Sequence, residues 1–269
     1  MKRLTLSIAA ASLFALPHAA RSNGTLYTIR DLDDHLIAID NLTLQMTDIG
    51  PLGVPFAFGG LGYDPNSDTL YMIGGDLSPS LYRVNRTTGA ATLIGNHGVE
   101  RLFGLDFDSR NNVIYASQFG PTATDVGLYT LNPTTGAATR IAPIEDFGFG
   151  GLSYNSTDDV LIGLAPDLGE IYAINRSTGA GTLLSDGPFV DDNGLAFDLE
   201  RGLIWAIDFG GNLFSYDPSA AYARTTQLSG LGSHDGLAFV IPEPSSGTLM
   251  LCGALLALRR RGQSRSGVL

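Results

Sequence analysis

At 269 residues, with 34 Gly, 44% hydrophobic and only 16% charged residues, the chain has room for one large all-β domain or two smaller ones, and its composition excludes disorder. The formal net charge is −11, and no Lys follows Lys2, so the acidic body repels nucleic acid and anionic membrane surfaces. The single cysteine, Cys252, lies in an apolar stretch near the C-terminus, which excludes an intrachain disulfide and a thiol nucleophile in the body.

In chain order, Met1-Lys2-Arg3 and the apolar run Leu4 to Leu16 form the charged and apolar regions of a signal peptide. The small residues around Ala19, Ala20 and Ser22 offer cleavage positions, so residues 1–22 read as a leader removed by signal peptidase during export. The run is too short to span a bilayer comfortably as an anchor.

Residues 23–241 are a repeat. Stacking the Thr-Gly turns aligns LYRVNRTTGAATLIG from Leu81, LYTLNPTTGAATRIA from Leu128 and IYAINRSTGAGTLLS from Ile171, with weaker copies from Leu36 and Leu213. A second motif precedes them at Gly60 (GLGYD), Gly104 (GLDFD), Gly151 (GLSYN) and Gly194 (GLAFD), with a period of roughly 42 to 47 residues. Four short strands per repeat, joined by Gly, Asn and Asp turns, are the arithmetic of a β-propeller blade; an open β-sandwich array is the alternative. The first copy lacks an innermost strand, and Gly236-Leu237-Ala238-Phe239-Val240 is that strand alone. The expected fold is therefore an all-β, five-bladed propeller, closed when Leu237–Val240 completes the blade of residues about 25 to 50. Trp205, Tyr71, Tyr115 and Tyr172 fall on strands and are expected in the packing between blades, and Asp64 to Asp68 in a hairpin turn.

In a propeller, the loops entering the innermost strands and the loops between second and third strands open on one face. The entering loops supply His97 and Glu100, Glu145 and Asp146, Asp191 and Asp192, and His234 and Asp235; the others supply Asp31, Asp76, Gln118, Asp167 and Asp208. One reading is a cation site, Ca2+ held by carboxylate and backbone oxygens, or a polar site for a sugar. Another is acid–base catalysis by crowded carboxylates. The plainer reading is that Asp and Gly populate turns for local reasons. Ser233, His234 and Asp235 evoke a hydrolytic triad, but neighbours on one loop cannot form its geometry alone. No phosphate-binding loop, zinc spacing or dinucleotide fingerprint is present.

The last segment, residues 242–269, begins with Pro242-Glu243-Pro244, runs through an apolar stretch from Thr248 to Leu258 and ends after Arg259-Arg260-Arg261. A short apolar helix followed by basic residues reads as a transmembrane stop-transfer segment with its arginines on the cytoplasmic side. The two prolines bar helix before it and leave an extended peptide accessible to a processing enzyme. These features resemble the PEP-CTERM sorting signal of Gram-negative bacteria. That resemblance implies recognition by an exosortase, an integral-membrane cysteine transpeptidase, cleavage near the motif, and release or attachment at the cell surface beside exopolysaccharide production. The body resembles propeller-like ectodomains that carry such tails, which implies no particular activity. The expected function is a non-catalytic binding or interaction module for a cation or a polysaccharide. The alternative is a hydrolase or lyase acting on polysaccharide or a small ester through the acidic face, for which a carboxylate pair about 5 to 10 Å apart beside a deep pocket would speak.

Overall fold

The apolar stretches of each repeat are short, bounded by turn residues and rich in Ile, Val, Tyr and Phe, and each folds as a strand. The computed structural model describes residues 23–120, 126–144, 148–166, 168–191 and 193–241. The leader and the sorting tail, with Pro242, Glu243, Pro244 and Arg259 to Arg261, lie outside the described residues, as do Glu145, Asp146, Asp167 and Asp192. Among the described residues no helix is long and apolar enough to cross a membrane.

The first repeat forms β1 (Thr25–Arg30), β2 (His35–Asp40) and β3 (Met46–Pro51). The second forms β4 (Leu61–Asp64), β5 (Thr69–Ile73), β6 (Ser80–Val84) and β7 (Ala91–Asn96). The third has β8 (Leu102–Asp108), β9 (Val113–Gln118), β10 (Gly127–Leu131) and β11 (Ala138–Pro143), and the fourth β12 (Gly151–Asn155), β13 (Val160–Ala165), β14 (Glu170–Ile174) and β15 (Gly181–Asp186). The fifth has β16 (Asn193–Asp198), β17 (Leu203–Asp208), β18 (Leu213–Asp217) and β19 (Ala223–Leu228), and β20 (His234–Val240) follows. They pair into five antiparallel four-stranded blades, and β20 joins β1, β2 and β3 as the innermost strand of the first. Thr25 faces Val240 and Thr28 faces Leu237, so the last strand closes the ring as the repeat count requires.

Both faces of a blade are covered by neighbours, which is why strands such as Leu203–Asp208 read as unbroken apolar runs. The core is divided into five clusters, each lying between two adjacent blades. Trp205 is fully buried in the cluster between the fifth and first blades, where Leu26, Ile37, Leu237 and Phe239 meet it. Tyr71 and Tyr115 are buried between blades, and Tyr172 packs against the same kind of core while half-buried. The outermost strands carry mostly exposed side chains.

Every third-to-fourth strand pair has a bulge at the same place, after Leu36, Leu81, Leu128, Ile171 and Leu213. The bulge adds twist to the outer half of the blade. The hairpin beyond it is built by an Asn: Asn85 Oδ1 accepts the N–H groups of Thr87 and Thr88 at 2.8 and 3.1 Å, and Asn132 and Asn175 repeat the arrangement. Gly136 follows with φ +75°, and a Cβ there would lie 2.6 Å from the Gly95 carbonyl oxygen of the preceding blade. The Thr-Gly signature therefore serves both the turn and the seam between blades. At the axis, Gly60, Gly104, Gly151, Gly194 and Gly236 let the five innermost strands approach so closely that the space between them leaves no room for a water molecule.

Candidate binding site

Within each of the first three blades the entering and returning loops of the predicted face lie side by side. The Asp31 N–H donates to the Ser233 carbonyl at 3.1 Å, the Asp76 N–H to Ala57 at 2.9 Å, and Gln118 Nε2 to the Glu100 carbonyl at 2.9 Å. Among the described residues the centre of this face is aromatic. Phe58 stands 5.8 Å from Phe103 and 5.1 Å from Phe209, and Phe103 stands 5.9 Å from Phe119, so aromatic rings from entering and returning loops gather here.

The acids around these rings have separate, local roles. Asp208 accepts from the backbone and side-chain nitrogens of Asn212 and closes its own turn. Asp76 and Glu100 are exposed. Asp31 receives the Ser233 hydroxyl at 2.5 Å, and burial pushes its carboxyl up to about 6 against that bond. His234 is buried with Nδ1 3.1 Å from the Gly232 carbonyl, and burial lowers its pKa. The Ser233 hydroxyl therefore serves Asp31 rather than His234. Asp235 is buried, and its carbonyl accepts from the Thr28 hydroxyl at 3.1 Å. Among the described residues no three His, Cys, Asp or Glu side chains come close enough together to hold a metal ion. Asp146, Asp167 and Asp192 of the same face lie outside those residues.

The opposite face carries a pocket of about 280 Å3 on the axis. The repeat builds it. The fourth position of each GLxΦD motif points an aromatic residue there: Tyr63, Phe107, Tyr154, Phe197 and Phe239, one from the innermost strand of every blade. Pro65, Ser109, Ser156 and Leu199 come from the hairpin turns that follow, and Ile241 from the end of β20. The third motif position is Gly62, Asp106, Ser153, Ala196 and Ala238, and among the described residues Asp106 is the one carboxylate lining the pocket.

Asp106 is surrounded by protein yet opens to solvent through the pocket. Its Oδ1 accepts the Phe107 N–H at 2.8 Å and its Oδ2 the Tyr154 N–H at 2.7 Å, the second bond crossing from the third blade to the fourth. Burial nevertheless dominates and pushes its carboxyl up to about 7. The Tyr63 hydroxyl donates to Asp68 and the Tyr154 hydroxyl to Asp159, each at 2.7 Å. Burial first, then the Asp159 bond, holds the Tyr154 phenol well above its usual range. Arg86 lies 5.3 Å from the Tyr63 ring centre and pairs with Asp68; Arg176 lies 5.7 Å from the Tyr154 ring centre and pairs with Asp108 and Asp159. Both arginines are thus engaged with carboxylates and neither lines the pocket.

Sequence reasoning missed this site because it followed acidic residues to the loop face. Two signals were present: an aromatic residue at one motif position in all five copies, and a carboxylate where the other copies have Gly, Ser or Ala.

No protein-family model matches the chain, and a search among curated proteins finds no similar one. Among solved structures, it is similar to a chain of a nidogen/laminin complex at a TM-score of 0.53 and 10% identity, covering 82% of this chain and 100% of that one. It is also similar to a protein of unknown function from Bacteroides thetaiotaomicron, at a TM-score of 0.57 and 18% identity, covering 82% of this chain and 62% of that one. At such identities the likeness extends to the propeller fold.

Proposed function

We propose that the chain is an exported, non-catalytic binding module, sorted by an exosortase to the cell surface or extracellular matrix, with the axial pocket as its binding site. The observation that carries the binding reading is the convergence of five aromatic residues, one per blade, on a single concave site with one carboxylate. Concave, mostly apolar sites with few polar groups are the usual form of small-ligand sites. The nidogen/laminin likeness agrees with a propeller used for recognition, since that protein's structure is of a complex. A glycoside hydrolase needs a second carboxylate across the pocket, and the described lining offers Asp106 alone, which favours binding over the hydrolase or lyase reading.

Export and sorting rest on the leader and on Pro242-Glu243-Pro244, the apolar stretch and Arg259-Arg260-Arg261. The test is mass spectrometry of the protein recovered from the surface of an exosortase-bearing host. The expected product begins near Asn23 and ends close to Pro242–Pro244. An intact arginine cluster in the surface protein would overturn the sorting reading.

A further inference from the structure

We propose that the axial pocket takes a small organic cation, an ammonium head group, with Asp106 as its counter-ion. The proposal rests on the pocket being the binding site and adds the chemistry of what enters it.

The described lining is mostly aromatic and aliphatic carbon with one carboxylate. Among the described residues no basic side chain lines it, and Arg86 and Arg176 nearby are held by Asp68, Asp108 and Asp159. An anion would meet Asp106 with no lining cation among the described residues to offset it, in a chain of net charge −11. A neutral sugar needs several donors and acceptors spread around its ring. The side chains on offer are Asp106, Ser109 and Ser156, while the Tyr63 and Tyr154 hydroxyls already donate to Asp68 and Asp159. Asp106 accepts backbone N–H groups from Phe107, Tyr154 and Tyr63, bonds that favour its charged form, and its place in the lining presents that charge to a cation in the pocket. Aromatic walls with a carboxylate suit an ammonium group, whose methyl or methylene shell is apolar and whose charge the ring quadrupoles attract. The volume admits a compact head group rather than a polymer chain.

Asp106 is held near neutrality when the pocket is empty, so binding of a cation should strengthen as pH rises through about 7. The titratable groups around it are Tyr63 on β4, Tyr115 paired opposite it on β9, Tyr154 on β12, and Asp108 with Arg176 beyond its own strand end. Gly62 on β4, Ser153 on β12, Ala196 on β16 and Ala238 on β20, at the matching positions, bring no charge.

The test is isothermal calorimetry of the full chain at pH 8 with tetramethylammonium, choline and a primary alkylamine, beside neutral monosaccharides and a small carboxylate. The expected result is binding of the ammonium compounds, at least tenfold weaker in both Asp106→Asn and Asp106→Ala, and weaker at pH 6 for the non-titrating choline. Ala already occupies this motif position in two blades, and a circular-dichroism melt checks that each variant folds. Binding of monosaccharides but not of ammonium compounds would overturn the cation while leaving the pocket as a binding site. No binding by any probe would overturn both. Ammonium binding unchanged in the two variants would also overturn the role of Asp106.

Discussion

The hydroxyl of Thr28 in β1 donates to the carbonyl of Asp235 in β20 at 3.1 Å, joining residues 207 apart in the chain. Thr28 is fully buried, and the β1–β20 register shifts just beyond it, between Thr28 and Ile29. The two ends of the propeller are thus stitched by a ladder and by one side chain at its irregular point. No covalent connection crosses this seam, so noncovalent contacts alone hold the ring closed there.

A chain ending at Asp235 loses the burial of Leu237, Phe239 and Val240 and leaves the β1 edge unpaired. The cost should be about 5 kcal/mol or more, comparable to the whole stability of a domain. A chain ending at Ile241 should melt like the longer one. Equal melting temperatures for the two would contradict closure by β20. Thr28→Val, which keeps the shape, should cost about 1 kcal/mol.

The Asp108–Arg176 pair links the third blade to the fourth, with the Asp108 side chain fully buried and Arg176 only 22% exposed. Burial acts to raise the Asp108 carboxyl, but bonds from Asn111 and then from Arg176 outweigh it and hold it below its usual value. A carboxylate with a depressed folded pKa stabilises above its unfolded pKa, and that contribution is lost as pH falls through the folded value. Arg176→Met should therefore cost about 3 kcal/mol at pH 7, a penalty that shrinks as pH falls through the folded Asp108 value. The double variant with Asp108→Asn should recover part of the loss. A pH-independent penalty would show that packing against Tyr154, not charge, holds the seam.

The axial glycines predict a steric result. A Cβ on Gly60 would lie 2.3 Å from the Phe103 carbonyl oxygen, and one on Gly194 would lie 2.5 Å from the Gly236 carbonyl carbon. Backbone cannot yield there without spreading the ring. Gly60→Ala and Gly194→Ala should each destabilise by about 2 to 3 kcal/mol, read as a lower urea midpoint at unchanged slope. Unaltered midpoints would mean that the inner strands stand further apart.

His97 is buried, its Nδ1 accepts the Val99 N–H at 3.3 Å, its Nε2 has no partner, and burial pushes its pKa down to about 4. Below the unfolded value near 6.5 the unfolded chain takes a proton that the folded chain refuses, so this residue costs stability as pH falls from about 6.5 towards 4. Asp31 and Asp106, raised to about 6 and about 7, act in the opposite direction over the same range. His97→Asn keeps an acceptor for the Val99 N–H and removes the titration. It should gain about 2 kcal/mol relative to the parent between pH 6.5 and 5, by chemical denaturation at each pH. A constant difference across that range would exclude His97 from the acid response.

Much of the fold was legible because a propeller is local physics repeated. The Asn-x-x-Thr-Gly turns, the apolar pairs that carry the bulge and the Gly-Leu-x-aromatic strands recur at one spacing, so strand number and blade number follow from counting. Even closure was legible, since β20 is a fifth innermost strand with no blade of its own. The buried Trp205 and the turn at Asp64 to Asp68 followed from the same alternation and turn chemistry.

The site was not legible in that way, and the reason is geometric. Sequence reasoning could bring Asp31, Asp76, Glu100, Asp208 and His234 to one face by topology, but not tell that Phe58, Phe103, Phe119 and Phe209 would gather at its centre. Two of those contacts join different blades, Phe58 to Phe103 and Phe58 to Phe209, and so depend on how the blades stand around the ring. Nor could it tell that the axis closes around glycine at one end and opens into an aromatic pocket at the other, because that depends on how far five strands approach. The sequence by itself determined the repeating strands, their turns and the acidic surface, since each depends on neighbours within a few residues. Only the tertiary structure decided that Asp106 lines a largely apolar pocket, because that pocket exists only where the five blades meet.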